Sequence, residues 1–311
     1  MLHGRMLRYL DEVVKCGSIR KAASRLNVSA SAISRQILSL EKDIEAPIFE
    51  RMPNGLRLTA TGEILIGHVR TTIQEHQRAR AQMAALKGLI RGEATIATMG
   101  GLAGSLLSEV VRDFRVAYPG VRLIVRVLSG EAIVQSVLSG DAHIGLAYGL
   151  PHHPRLYRAI EFDHPIGVVV ARDHPFAIRR SVRFVDCLPH PLVMMERGMS
   201  LREAVEALVP VNAWCAPAVE TNSLEMIKRL ARTSPNVAFL NFIEVEEELR
   251  SGELIFVPLV GRNARQNIAL VHRASGPLDP VTSVVANFVS DAAKAKAAAF
   301  LSSHGPQTSN G

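Results

Sequence analysis

No stretch of the 311 residues stays apolar for the roughly 20 positions that a membrane-spanning helix requires. The N-terminal MLHGRMLRYLDEVV lacks the unbroken apolar stretch and small-residue cleavage site of an export signal, so a cytoplasmic protein is the expectation. Cysteine is scarce. Cys16, Cys187 and Cys215 lie far apart and form no CxxC pair, which suits a reducing compartment and predicts buried structural thiols. Groupings that carry catalysis are missing as well. GGLAGS has no Gly-Lys-Ser/Thr to make it a phosphate-binding loop, the eleven histidines include no HExxH, and no GxSxG elbow occurs. His152 and His153 stand between prolines in an expected surface loop. Nothing in the chain calls for an enzyme, a cofactor or a metal.

What is present is a basic excess at one end. The length allows two or three domains, and 48% hydrophobic with 21% charged residues is ordinary for a globular protein. The net charge of +7 is unevenly spread: residues 1–90 hold 14 Lys and Arg against 8 Asp and Glu, and the remainder 22 against 21. A localised positive surface attracts a polyanion, of which nucleic acid is the commonest.

The basic segment reads as three short helices. Leu7, Leu10, Val13 and Val14 have helical spacing and stop at Gly17. Ser18 is placed as the N-cap of a second helix, Ile19 to Leu26, whose Ala22 and Ala23 let a neighbour approach closely. Ser29 caps a third, in which Ile33, Ile37, Leu40 and Ile44 form the buried stripe. Ser31, Arg35, Leu38 and Lys42 fall on the opposite side, with Ser34 on the flank and Ala30 accessible at the start. Such a small, polar, basic face fits the DNA major groove, where Arg35 reaches a guanine edge or a phosphate. In IFERMPNGLRLT, Asn54-Gly55 between two short alternating runs predicts a hairpin turn, with Arg51 and Arg57 flanking its tip for contacts to the DNA backbone.

GSIRKAASRLNVS, AISRQI, LEKDIEAPIFER and LRLTATGE, in this order and spacing, resemble the winged helix-turn-helix of LysR-type transcriptional regulators. The resemblance implies double-stranded DNA as partner and Ser29, Ala30, Ser31, Ser34, Arg35, Gln36, Arg51 and Arg57 as its contacts. One departure stands out: the family often has Gln-Pro where this chain has Ala30-Ser31, so a common base-reading amide is absent.

From Thr61 to Ile90 one helix is expected, with Leu65, Val69, Thr72, His76, Ala79, Met83, Leu86 and Ile90 as a heptad seam. The resemblance makes it a linker through which a homodimer forms, with tetramers implied beyond that. A strand–helix rhythm follows and predicts two parallel-sheet units joined by crossing segments near Ile166–Arg172 and Val257–Val271. YPGVRLIV, LSGDAHIGLAYG, ARDHPFA and ETNSLEMIKRLARTSPNVAFL resemble the effector domain of the same family, related in fold to periplasmic binding proteins. Ligands of parallel sheets bind beyond the carboxyl ends of strands, near helix N-termini. That rule selects Thr98, Gly100, Gly101, Leu102, Ser129, Arg197, Ser200, Thr221 and Asn222, to which Asn241, where many relatives have Pro, adds a pocket wall.

The expected fold is therefore an N-terminal all-α winged helix-turn-helix (1–60), a long linker helix (61–90), and an α/β two-lobed periplasmic-binding-protein-like domain (91–303). Lobe I takes about 91–163 and 268–303, lobe II about 164–267, and a disordered tail covers 304–311. The expected function is a sequence-specific DNA-binding regulator controlled by a small-molecule effector, a carboxylate or aromatic acid by resemblance. The alternatives are a DNA-binding regulator with no ligand, a solute-binding protein, or an enzyme on the same fold.

Overall fold

A computed structural model describes residues 5–53, 55–85, 90–210, 216–261, 263–274 and 278–304. The chain forms two compact units, one of residues 1–92 and 139–141, the other of residues 93–138 and 142–311.

The first unit opens with α1 (Arg5–Cys16), α2 (Ile19–Leu26) and α3 (Ala30–Asp43). The hydroxyl of Ser18 accepts from Lys21 N and that of Ser29 from Ala32 N, so each serine satisfies a donor left open at a helix start. Asn27 ends α2 in the left-handed conformation (φ 53°), one that asparagine tolerates better than most residues. Tyr9, Leu10, Val13, Ala22, Ala23, Ile33, Ile37 and Ile48 make the core. Ile44 does not join it: α3 stops at Asp43, and Ile44 is 36% exposed as the residue just past the helix.

The hairpin pairs β1 (Phe49–Met52) with β2 (Gly55–Leu58). Met52 faces Gly55, so Gly55 belongs to the paired strand rather than to the Asn54-Gly55 turn predicted; Asn54 itself lies outside the described residues. Gly55 has a different role. Its φ is +137°, and a Cβ there would lie 2.7 Å from the carbonyl oxygen of Gly17, which accepts from Leu56 N.

α4 runs Ala60–Ala85, shorter than the helix predicted to Ile90, which is described but not helical, while Leu86 is outside the described residues. Val69, read as a seam position, is only 1% exposed and packs with Ile66 into the core of its own unit, with Leu65 beside them. The α1 surface claims that end of the stripe, because Leu10 and Val13 need covering. Ala79 and Met83 stay exposed.

The second unit is built on a nine-stranded sheet system ordered β4-β3-β5-β11-β6-β9-β7-β8, with β10 on β6. Its elements are β3 (Gly92–Thr98), α5 (Gly100–Leu102) continuing through a π turn (Ala103–Leu107) into α6 (Ser108–Ala117), β4 (Val121–Val127), α7 (Gly130–Ser139), β5 (Ile144–Tyr148) and β6 (Leu156–Val170). Then come α8 (Phe184–Cys187), β7 (Leu192–Met195), α9 (Ser200–Glu206), β8 (Val219–Thr221), α10 (Leu224–Ala231) and β9 (Val237–Asn241). A 3-10 turn (Phe242–Glu244), α11 (Glu246–Ser251), β10 (Ile255–Pro258), β11 (Arg265–Arg273) and α12 (Pro280–His304) complete it. β5, β7 and β9 are buried along their whole length, which is why they read as unbroken apolar runs.

β6 links the lobes. Its first part pairs antiparallel with β11, and from Ile166 onward it pairs with β9 and β10. The partners therefore change between Pro165 and Ile166, and the return crossing lies between Pro258 and Arg265. The first half of β6, LYRAIEFDHP, is a strand that the apolar pattern does not predict, since Arg158, Glu161 and Asp163 interrupt it. α12 reaches His304, past the predicted end at Leu301 and into the expected tail, whose residues 305–311 are outside those described.

Candidate nucleic-acid interface and effector cleft

α3 carries the candidate interface. Ile33 and Ile37 anchor it, and Ser29, Ser31, Arg35, Gln36 and Leu38 are exposed, with Ala30 and Ser34 half-buried beside them. The Ser31 hydroxyl donates to Ser29 Oγ at 3.2 Å, which fixes a small hydroxyl pair at the helix start. Leu38, 60% exposed, adds an apolar contact beside Arg35 that suits a thymine methyl. Arg35 and Arg51 are exposed and have no ion-pair partner among the described residues, whereas Arg57 Nε donates to Glu50 Oε1 at 2.6 Å across the hairpin. The two wing arginines are thus unequal: one is open to a phosphate, the other must leave a carboxylate first.

How the wing is held was not foreseen from residue spacing. Glu41 Oε1 accepts from Ile48 N at 2.8 Å and Phe49 N at 3.3 Å, which ties the hairpin to α3. Between α1 and α2, a cavity of about 390 Å3 is lined by Lys15, Cys16, Lys21, Ser24 and Arg25. Lys15 pairs with Asp11 at 2.5 Å and Arg25 with Glu12 at 3.2 Å. Cys16 is half-buried rather than buried as predicted, and its thiol donates to Glu12 at 3.3 Å. Cys187 is buried, which pushes its thiol up to about 12; Cys215 is outside the described residues.

In the second unit several of the predicted effector residues meet. Thr98 O accepts from Leu128 N at 2.9 Å, which places Ser129 beside the end of β3. Ser200 Oγ lies 4.0 Å from Met99 Sδ, and its Cβ is 3.8 Å from where a Cβ would stand on Gly149. Thr98 to Gly101, Ser129, Gly149 and Ser200 thereby come together from both lobes, although sequence reasoning had missed Gly149. Ser129 is exposed, Ser200 half-buried. Leu102 is a correction: its side chain is fully buried in the core, because one turn of helix carries it away from the strand ends.

Arg197, Thr221 and Asn222 form a second group. Glu196 N donates to Thr221 O at 3.0 Å, joining the ends of β7 and β8, and Thr221 Oγ1 accepts from Ser223 N. Arg197 is exposed and 3.9 Å from Glu206. No hydrogen bond or ion pair among the described residues joins this group to the first.

Asn241 is fully buried rather than a pocket wall. Its Nδ2 donates to Gln266 Oε1 at 2.8 Å and, more weakly, to Glu244 Oε2 at 3.4 Å. Glu244, not singled out from sequence, is only 6% exposed, and burial pushes its carboxyl up to about 7 against the pull of the Asn241 hydrogen bonds. Burial and then the nearby Glu244 charge also raise Tyr148, whose hydroxyl, like Thr98 Oγ1 and Asn241 Oδ1, is buried with no hydrogen-bond partner. The signal that could have flagged Glu244 is its place directly after a fully apolar strand, VAFLN, where the chain is still in the core.

Among the described residues no group of His, Cys, Asp and Glu could hold a metal, and no helix is long and apolar enough to cross a membrane.

Comparison with known proteins agrees with this architecture. The chain is 29% identical over 293 residues to the HTH-type transcriptional regulator CbbR of Rhodospirillum rubrum, covering 94% of this chain and 97% of that protein. It is 31% identical over 240 residues to the transcriptional dual regulator GltC of Bacillus subtilis (strain 168), covering 76% and 79%. Among solved structures, a full-length OxyR point variant from Pseudomonas aeruginosa superposes with a TM-score of 0.76 at 20% identity, covering 93% and 95%. Full-length CbnR complexed with its target DNA gives 0.61 at 21%, covering 93% and 99%. At these identities the structures show the fold alone. Residues 5–63 match the bacterial regulatory helix-turn-helix protein, lysR family, and residues 87–294 match the LysR substrate binding domain, so the chain belongs to the LysR family of DNA-binding transcriptional regulators with a two-lobed effector-binding domain.

Proposed function

We propose that this regulator reads duplex DNA with the exposed face of α3 and is controlled by a small anionic effector held where Thr98–Gly101, Ser129, Gly149 and Ser200 converge. The observation that carries the DNA reading is Arg35, exposed and without an ion-pair partner among the described residues, on a helix face otherwise lined with small polar groups. Ser29, Ala30, Ser31, Ser34 and Gln36 allow the close approach, Arg35 reads a base edge, and Arg51 holds phosphate. Arg57 reaches the backbone only by exchanging Glu50 for it.

The effector is read as a small carboxylate or aromatic acid. Its carboxylate points to the Ser129 and Ser200 side, because at Gly101 it would meet Glu244. Arg197, Thr221 and Asn222 form a neighbouring polar rim. Dimers form through the part of α4 that its own unit leaves uncovered, which brings two α3 helices to one duplex; pairing of dimers into tetramers and a cytoplasmic location complete the reading. A ligand shifts DNA binding only through its preference for one arrangement of the protein.

The test is selection from a random duplex pool followed by gel retardation of the selected duplex, with and without a panel of small carboxylates and aromatic acids. A retained duplex whose mobility or affinity changes with at least one acid is expected. A protein that retards no duplex at low salt contradicts the DNA reading, and one that binds DNA but responds to none of the acids contradicts the effector class.

A further inference from the structure

The buried Glu244 enters the readings above only as a neighbour of the effector site, and its surroundings are unusual. It belongs to the 3-10 turn that follows β9 in lobe II, yet its Oε1 lies against α5 of lobe I: a Cβ on Gly101 would stand 1.8 Å from it. Only glycine leaves room for the carboxyl there. The carboxyl is poorly satisfied, since its hydrogen bonds from Asn241 N and Asn241 Nδ2 are long, at 3.3 and 3.4 Å. The hydroxyls of Thr98 and Tyr148 and Asn241 Oδ1 are also buried without partners, although native proteins pair nearly all such groups. Among the described residues no cation compensates at close range. Lys228 is the cation whose charge acts on it, and it is already engaged by Glu248 at 3.0 Å. Lys296 is held by Glu109 and Glu246, and His164, stacked on Phe242, is driven neutral by burial. From α5 the facing residue is Gly101, which does not titrate, and Tyr148 faces it from β5.

We propose that the Glu244 carboxyl is a proton-operated latch between the two lobes: protonated, it stays inserted against Gly101; ionised, it withdraws into water and lets the lobes part. The physical reason is desolvation. A carboxylate in this place has no directly paired cation and only two weak donors to replace its water, whereas the neutral acid sheds the cost of burying a charge. The sign follows from linkage. The inserted carboxyl titrates at about 7 and a hydrated one at the ordinary value of 4.5, so insertion is fully favoured below the lower value and weakens as pH rises from there through the upper one. The latch adds regulation to the two-lobed unit read above as effector-binding. It is tested without DNA or effector, so its failure leaves that reading intact, and a missing effector response leaves the latch intact.

The experiment is hydrogen-exchange mass spectrometry of the full chain at about pH 6 and about pH 8.5, corrected for the intrinsic exchange rate. Peptides covering 98–107 and 237–245 are compared with the β7 peptide 192–195. In the unmodified protein the first two are expected to lose about tenfold in protection at the higher pH while β7 does not. Glu244→Gln is expected to hold protection at both values. Gly101→Ser, which places an atom where the carboxyl lies, is expected to lose it at both, and carries the test by itself should the glutamine variant fail to accumulate. Equal protection of the unmodified protein at the two pH values, a loss shared equally by β7, or a pH response that survives in either variant overturns the latch.

Discussion

Arg51 and Arg57 have the same charge on the same hairpin, but Glu50 makes them different reagents. A cation that neutralises one phosphate contributes about 0.9 to the slope of log K against log salt. Arg51→Ala is therefore expected to flatten that slope by about one contact, and Arg57→Ala by less, because releasing Glu50 offsets part of the gain. Fluorescence anisotropy on a selected duplex across a salt series checks this; equal slopes for both variants would mean that Glu50 swings away freely. This inequality was not legible in the sequence, where both arginines looked alike, because the register that puts Glu50 opposite Arg57 follows from Gly55 pairing with Met52 instead of standing in the turn. Arg35, by contrast, could be placed from spacing alone, since two buried isoleucines four residues apart fix which way it faces.

At the scale of elements, the wing stays on α3 through one carboxylate. Glu41→Ala removes the acceptor for both Ile48 N and Phe49 N, and an unsatisfied buried donor costs about 1–3 kcal/mol. Thermal unfolding of the N-terminal unit is expected at a lower midpoint, with weaker DNA binding while Arg51 and Arg57 are both still present. An unchanged midpoint would show that water replaces the glutamate. The helices themselves were readable, because caps and apolar spacing are local properties: Ser18, Ser29 and Asn27 stop and start them where expected. What spacing could not supply was competition for a surface. Leu65 and Val69 fit a dimer seam as well as a core stripe, and only the presence of α1 decides between them. Val69→Asp is accordingly expected to unfold the first unit by burying an unpaired charge. Met83→Glu, at a position 51% exposed, is expected to leave the fold intact and lower the dimer fraction in sedimentation velocity. A Met83 variant that remains fully dimeric would move the interface elsewhere.

For the whole molecule, the two-lobed plan followed from alternating strands and helices, and the strand ends named from that rhythm do meet at Thr98–Gly101, Ser129 and Ser200. Asn241 and Glu244 were misjudged or missed because burial of a polar residue is decided by a partner far away in sequence, here Gln266 and Gly101. The central claim, that α3 reads sequence through Arg35, is tested most directly by titrating the selected duplex and a scrambled one of equal length with the unmodified protein and with Arg35→Ala. A bidentate base contact predicts a loss of about 1–3 kcal/mol on the selected duplex and a much smaller one on the scrambled duplex. Equal losses on both, or no loss on either, would contradict it.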